Sequence, residues 1–216
     1  MQNLISECKL IKAVIFDMDG VLIDAKEWHY TALNRALKMF GYEISRHDHL
    51  VTYDGLPTRD KLQMLTLQDG LPKTLHGFIN ELKQKYTMQL VYEKCAPTFA
   101  HQYALSRLNK EGYAIAVASN SIRATIEAMM SKAELDKYLD FILSNEDVVV
   151  GKPNPAIYIK AIERLGLAPS EVVIVEDNPH GIAAARSAGG NVLKVDHVTD
   201  VNYWNIRDFI LALGGK

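Results

Sequence analysis

Asp17 and Asp19 stand at the end of an apolar run, Val14-Ile15-Phe16-Asp17-Met18-Asp19-Gly20-Val21-Leu22. The run reads as a buried strand, and a strand that leads directly into two acids places unpaired charge where it is costly. A divalent cation removes that difficulty. It also leaves one carboxylate available as a nucleophile and the other as an acid/base. Three further groups follow the same logic. Ser119-Asn120-Ser121 comes directly after the apolar run 114–118. A hydroxyl, an amide and the N-terminal amides of a following helix can receive phosphate oxygens. Gly151-Lys152-Pro153 holds a fixed positive charge in a stiff loop. Glu176-Asp177 ends the apolar run 172–175 and suits a hard cation such as magnesium. Singly, Ser-Asn-Ser is a turn, Lys-Pro a solvated loop, and Glu-Asp a complement to a helix dipole. Their succession at strand ends points to metal-assisted chemistry on a phosphate.

These groups need a scaffold. Residues 13–16, 113–118, 141–143, 172–175 and 192–195 read as strands. Helices are predicted over 98–110, 122–132, 179–188 and 203–213, and another is opened by Asn154-Pro155 and closed by Gly166. The alternation predicts an α/β fold with a parallel sheet covered on both faces. The interval between the first two strands carries no strong strand pattern and reads as a helical insertion. Ala25, Trp28, Ala32, Leu33, Ala36, Leu37 and Phe40 make one apolar stripe, stopped by Gly41. Trp28 and Phe40 are expected in the core of this insertion. Tyr53-Asp54-Gly55-Leu56-Pro57 is a turn, followed by helices over 58–67 and 72–89.

The bulk composition excludes several classes. The 216 residues are 48% hydrophobic and 23% charged, ordinary for one large globular domain or a core with an insertion. A net charge of −2 gives no electrostatic support to a nucleic-acid or acidic-membrane partner. No apolar run approaches the roughly 20 residues of a membrane span, and residues 1–12 hold no signal-peptide block. Cys8 and Cys95 show no metal-ligand spacing and no disulfide framework, which fits a reduced, cytoplasmic compartment. A monomer or weak dimer acting on a small molecule is expected.

Asp17-Met18-Asp19-Gly20-Val21, Ser119, Lys152 in Gly-Lys-Pro, and Glu176-Asp177 with Gly181 resemble the four motifs of the haloacid dehalogenase-like hydrolases. The resemblance spans essentially the whole chain. It implies a Rossmann-like core, a magnesium cofactor and phosphoryl transfer through an aspartyl phosphate. Asp17 would be the nucleophile. Asp19 would protonate the leaving group and then activate water. Ser119 and Lys152 would hold the transferred phosphoryl. Asp17, the Asp19 carbonyl and Asp177 would bind magnesium, with Glu176 helping directly or through water. Asp19 argues against dehalogenation, because the dehalogenases lack this second aspartate and need no metal. Phosphonate-cleaving relatives recruit a cap lysine. Lys26 is the formal candidate here, but it reads as part of a solvated helix face.

The long interval from Asp17 to Ser119 and the short one from Ser119 to Lys152 resemble the subgroup of β-phosphoglucomutase-like and phosphoglycolate phosphatase-like proteins. That subgroup carries a helical cap after the first strand. The implied division is a core of 1–23 and 95–216 and a cap of 24–94, with hinges near 23–25 and 95–97. His29 lies at the mutase spacing from the nucleophile, a spacing many phosphatases share. It is expected either to touch Asp19 or the leaving group, or to lie on a helix face. Asn120 is expected among the substrate-binding groups, and Arg59 at the distal end of an anionic substrate. The mutase has a lysine where Asp54 stands, an arginine one position earlier than Arg59, and a threonine in place of Ala25. These departures remove groups that would grip a bisphosphate. They place a phosphomutase second to a magnesium-dependent phosphatase of a sugar or polyol phosphate. A non-catalytic phosphate-binding protein comes third, since it has no need of both aspartates. His47 and His49, like Lys83 and Lys85, read as solvated.

Overall fold

Along β1 (Ala13–Phe16), side chains are buried on alternating faces: Val14 and Phe16 join one hydrophobic cluster, Ala13 and Ile15 another. A strand covered on both sides has no polar face, which is why the run is continuously apolar. The same split divides β2 (Ala114–Ala118) and β4 (Val172–Glu176). With β3 (Phe141–Leu143) and β5 (Asn191–Lys194) they form a five-stranded sheet, ordered β3-β2-β1-β4-β5 and parallel throughout. This computed structural model describes residues 10–53 and 55–214, so Cys8 and Asp54 lie outside the described residues. The expected α/β class is the one observed.

From β1 the chain enters an insertion. It comprises α1 (Lys26–Lys38), the single turn α2 (Arg46–Asp48) running on into a π-helical turn His49–Tyr53, α3 (Thr58–Asp69) and α4 (His76–Lys94). It returns through α5 (Phe99–Lys110), α6 (Arg123–Lys132), α7 (Ala156–Leu165), α8 (Pro179–Ser187) and α9 (Tyr203–Gly214). α5, α6 and α9 cover the Phe16 face of the sheet, and α7 and α8 cover the Ile15 face. The strand order reverses direction at β1, the switch point where open sheets bind ligands. Phe16 is level with both Val117 and Val175, so Asp17 emerges between the ends of β2 and β4.

The insertion has a core of its own, with Leu33, Ala36, Leu37, Ile44, Tyr53, Leu62, Leu65, Leu71 and Ile79 in one cluster. Among its described residues there is no strand. α1 supplies Leu33, Ala36 and Leu37 from one face, with Glu27 in its first turn and Arg35 and Lys38 in its last complementing the helix dipole. Three expectations are corrected. α4 runs to Lys94 because Val91 and Cys95 pack into the main core and hold its last turn. His49 lies in a π-helical turn rather than a solvated loop, since it is buried and its ring meets Tyr30 at 4.8 Å. Trp28 packs against the main core rather than the insertion's own, whereas Phe40 packs where expected.

Asn34 ties the end of α1 to the chain that follows. Its side chain donates to the Ile44 carbonyl at 2.8 Å and accepts from the Ile44 amide at 2.8 Å, in a buried setting. Asn34→Ala leaves both backbone groups without that partner. It should destabilise the protein by about 2–4 kcal/mol, measured by urea unfolding. A loss below about 0.5 kcal/mol would mean that this bridge does not hold the insertion together.

Candidate active site

Asp17 is fixed by its backbone, whose amide donates to the Val175 carbonyl at 3.0 Å. Beyond it the chain turns sharply, with the Leu22 and Ile23 amides both donating to the Met18 carbonyl at 3.0 Å. Gly20 permits this turn at φ +91°, and a Cβ there would collide with the Asp177 carboxylate. The carboxylates of Asp17, Glu176 and Asp177 converge, with one oxygen from each lying within 4.8 Å of the others.

Lys152 sits among them, buried. Its ammonium donates to Asp17 Oδ1 at 2.5 Å and to Glu176 Oε1 at 2.7 Å. The Tyr158 hydroxyl donates to the same Glu176 oxygen at 2.6 Å, and the Tyr158 ring lies 4.6 Å under the ammonium. The Asp177 and Asn178 amides donate to the other oxygen of Glu176. Gly181 is required by proximity, because a Cβ would overlap the Glu176 carboxylate. Burial pushes Asp17 well above the usual carboxylate range, with Glu176 and Asp19 adding to the push and Lys152 opposing it. Burial also works against the Lys152 charge, but Asp17 and Glu176 more than offset this and raise its pKa.

Asp19 is held differently. His29 Nε2 lies 2.9 Å from its Oδ1, and the Ser121 hydroxyl donates to its Oδ2 at 2.9 Å. Burial would raise Asp19, yet His29 and Ser121 bring it below its ordinary value. Lys83 stands behind His29, its ammonium 3.3 Å from Nδ1. Burial lowers the pKa of His29, Asp19 opposes this, and Lys83 and Lys61 lower it further. His29 therefore touches Asp19, one of the two alternatives left open by the sequence.

The remaining expected residues are distributed unevenly. Ser119 is buried, its amide donating to the Leu143 carbonyl at 3.0 Å and its hydroxyl accepting from the Ser121 amide at 3.1 Å. Asn120 braces two loops: its side chain donates to the Gly55 and Lys152 carbonyls at 3.4 and 3.3 Å and accepts from the Lys152 amide at 3.0 Å. Arg59 reaches the cleft edge but is 81% exposed and pairs with its neighbour Asp60. Two lysines expected in solvent are not there. Lys83 is buried, while Lys85 is exposed as anticipated. Lys26 lies 2.7 Å from Asp177 Oδ2. Tyr158 and Ser121 were not anticipated in these contacts. A tyrosine within the apolar stripe of α7 reads as core, whereas Ser121 carried a signal in its place two residues after Ser119.

Asp17, Asp19, Lys26, His29, Lys83, Ser119, Asn120, Ser121, Lys152 and Glu176 line one cleft of about 500 Å³ between the sheet and the insertion. Asp17, Glu176 and Asp177 form an all-oxygen, hard donor set that could hold a metal ion, and the missing Cβ of Gly20 leaves room for the Asp177 carboxylate. No helix among the described residues is long and apolar enough to cross a membrane.

Known proteins resemble this chain in sequence and in fold. A model of the haloacid dehalogenase-like hydrolase family matches residues 14–195. A phosphorylated carbohydrates phosphatase of Thermotoga maritima is 31% identical, covering 83% of this chain and 82% of its own length. A phosphoglycolate phosphatase of Aquifex aeolicus is 29% identical with 83% and 82% coverage. The crystal structure of a β-phosphoglucomutase from Clostridium difficile superposes with a TM-score of 0.82 over 95% of this chain and 100% of that one. At 21% identity it is a likeness of fold.

The cleft stores electrostatic strain at Lys83. Burial, with Lys61 adding to it against Asp19, lowers its pKa from 10.5 to about 8. Below about pH 8 both folded and unfolded chains carry the proton, and the folded state bears the full cost of the buried charge. As pH rises from about 8 to 10.5 the unfolded chain binds more protons, so stability rises with pH. Lys83→Met removes this dependence. Its stability advantage over the wild type should shrink by on the order of 2–3 kcal/mol across that window, read from urea unfolding. A difference that does not change with pH would show that Lys83 carries no such strain.

Proposed function

The chain belongs to the haloacid dehalogenase-like hydrolase family, and on that premise we propose that it is a magnesium-dependent phosphatase of a small phosphorylated metabolite, a sugar or polyol phosphate. The observation that carries this reading is the pairing of two differently held carboxylates in one cleft. Asp17 lies against Lys152 within the acidic cluster, and Asp19 is bound through both oxygens by His29 and Ser121. In the proposed division, residues 24–94 form a cap over a core of 1–23 and 95–216. The names of the two relatives support a phosphatase acting on small phosphate esters. A cytoplasmic setting belongs to the same reading, supported by the free thiol of Cys95.

In the proposed reaction an Asp17 oxygen attacks phosphorus, the ester P–O bond breaks, and Asp19 gives the departing alkoxide its proton. Water then attacks the aspartyl phosphate and yields a proton to Asp19, and the bond from phosphorus to Asp17 breaks to release phosphate. Lys152 opposes the repulsion between the Asp17 carboxylate and the anionic ester, with Ser119 nearby to receive a phosphoryl oxygen. His29 and Ser121 hold Asp19 ionised in the free cleft. A charged ester brought beside it raises its pKa, so Asp19 takes up one proton from solvent as the ester binds, and this is the proton that the alkoxide receives. Asp17, the Asp19 carbonyl and Asp177, with Glu176 behind, would hold magnesium, which when bound would supply neutralising charge for the phosphoryl group.

Phosphate release from a panel of phosphate esters tests the reading. Activity should require magnesium, be lost reversibly in EDTA, and vanish in Asp17→Asn with the fold intact. Full turnover in metal-free buffer would exclude this mechanism. Conversion of β-glucose 1-phosphate to glucose 6-phosphate without net phosphate release would assign a phosphomutase instead.

Asp19→Asn should separate attack from proton transfer. p-Nitrophenyl phosphate has a good leaving group and should still phosphorylate Asp17 in single turnover. An alkyl phosphate should lose about 10²-fold or more in that step, the usual cost of a lost general acid. Equal losses for both substrates would show that Asp19 acts by positioning rather than as an acid.

A further inference from the structure

Lys26 opens α1, just past the turn that carries Asp19. Its ammonium is 2.7 Å from Asp177 Oδ2, and the Asp177 side chain is only 2% exposed. Gly20 makes room for this contact, since a Cβ there would meet both the Asp177 carboxylate and the Lys26 Cε. The pair crosses from the insertion to one of the carboxylates suited to a metal ion.

The charges in the cluster set the consequence. Asp17, Glu176 and Asp177 bring three negative charges when ionised, and Lys152 cancels one. A divalent cation neutralises the two that remain. Lys26 neutralises one of them, and it does so at Asp177. The two lysines are held very differently. Lys152 is 4% exposed, gripped by two carboxylates and seated on the Tyr158 ring. Lys26 is 35% exposed and extends on a flexible stem from the end of a helix. An ammonium and a divalent cation cannot both sit on one face of a carboxylate without strong like-charge repulsion, and the less constrained of the two lysines gives way.

We infer that Lys26 competes with the divalent cation for Asp177, so that this residue sets the metal affinity of the cleft and yields the carboxylate when the metal binds. The inference rests on the metal site of the proposed function. It makes Lys26 a positioning residue that acts through Asp177. It also accounts for a lysine at a helix-face position where solvation alone would be expected.

Calorimetric titration of magnesium into the metal-free, full-length protein tests it without reference to turnover. Wild type should bind one ion, and Asp177→Asn should lose that binding. Lys26→Met and Lys26→Gln should each bind magnesium about tenfold more tightly than wild type, the scale of removing one nearby competing charge. Lys26→Arg, which keeps the charge, should stay near the wild-type affinity. Unchanged or weaker binding in both neutral variants, with binding still lost in Asp177→Asn, would overturn the inference and leave the metal site standing. Absence of magnesium binding to wild type, or binding indifferent to Asp177→Asn, would overturn both.

Discussion

Three buried carboxylates brought within 4.8 Å of one another are mutually repulsive and poorly hydrated, and the architecture around β1 answers that constraint. Buried charge is tolerated only when it is paired and hydrogen-bonded. Lys152 lies between Asp17 and Glu176, the Tyr158 hydroxyl takes the Glu176 oxygen that Lys152 also uses, and two backbone amides take the other. Gly20 and Gly181 stand where a methyl group would displace Asp177 or Glu176. The sheet order follows the same need, since β1 lies between β2 and β4 and its end is flanked by the ends of both. Removing Lys152 would leave the buried Asp17 and Glu176 without the cation they share.

The second aspartate depends on the insertion. Asp19 belongs to the turn after β1, but its partner His29 comes from α1, and Lys83 behind His29 comes from α4. The two helices pack along each other, and Val91 and Cys95 at the end of α4 enter the main core. The insertion therefore does more than cover the cleft. It supplies one of the groups that set the charge state of Asp19, while Ser121 supplies the other from the core side. A movement of α1 would change the pKa of Asp19 and expose it to water in one step.

The same geometry revises what the cleft offers to a ligand. Arg59 points largely into solvent and pairs with Asp60, whereas Lys83 and Lys61 are buried in the cleft wall. Asn120 is engaged in bracing the Gly55 and Lys152 loops against each other, which holds the lysine loop in place beside Asp17. Of the insertion's cationic side chains, the buried Lys61 and Lys83 therefore stand closer to the cleft interior than the exposed arginine.

The sequence by itself determined the strands, their parallel arrangement and the groups at their ends. Apolar runs such as 13–16 and 172–175 and the acids that terminate them are local features, and strand direction carries Asp17, Ser119 and Glu176 to the same edge. Tertiary structure decided the rest. Lys26 and Lys83 read as solvated because helix-surface lysines ordinarily are, and their neighbours Asp177 and His29 lie far away along the chain. Tyr158 carries no signal in the sequence because its ring is core, and only its hydroxyl reaches Glu176. Trp28 changed sides because α1 sits over the main core at that point. A side chain on a helix has its face set by periodicity, but its partner is set by how the insertion seats on the sheet. That placement follows from packing between residues distant in the chain, which no local pattern encodes.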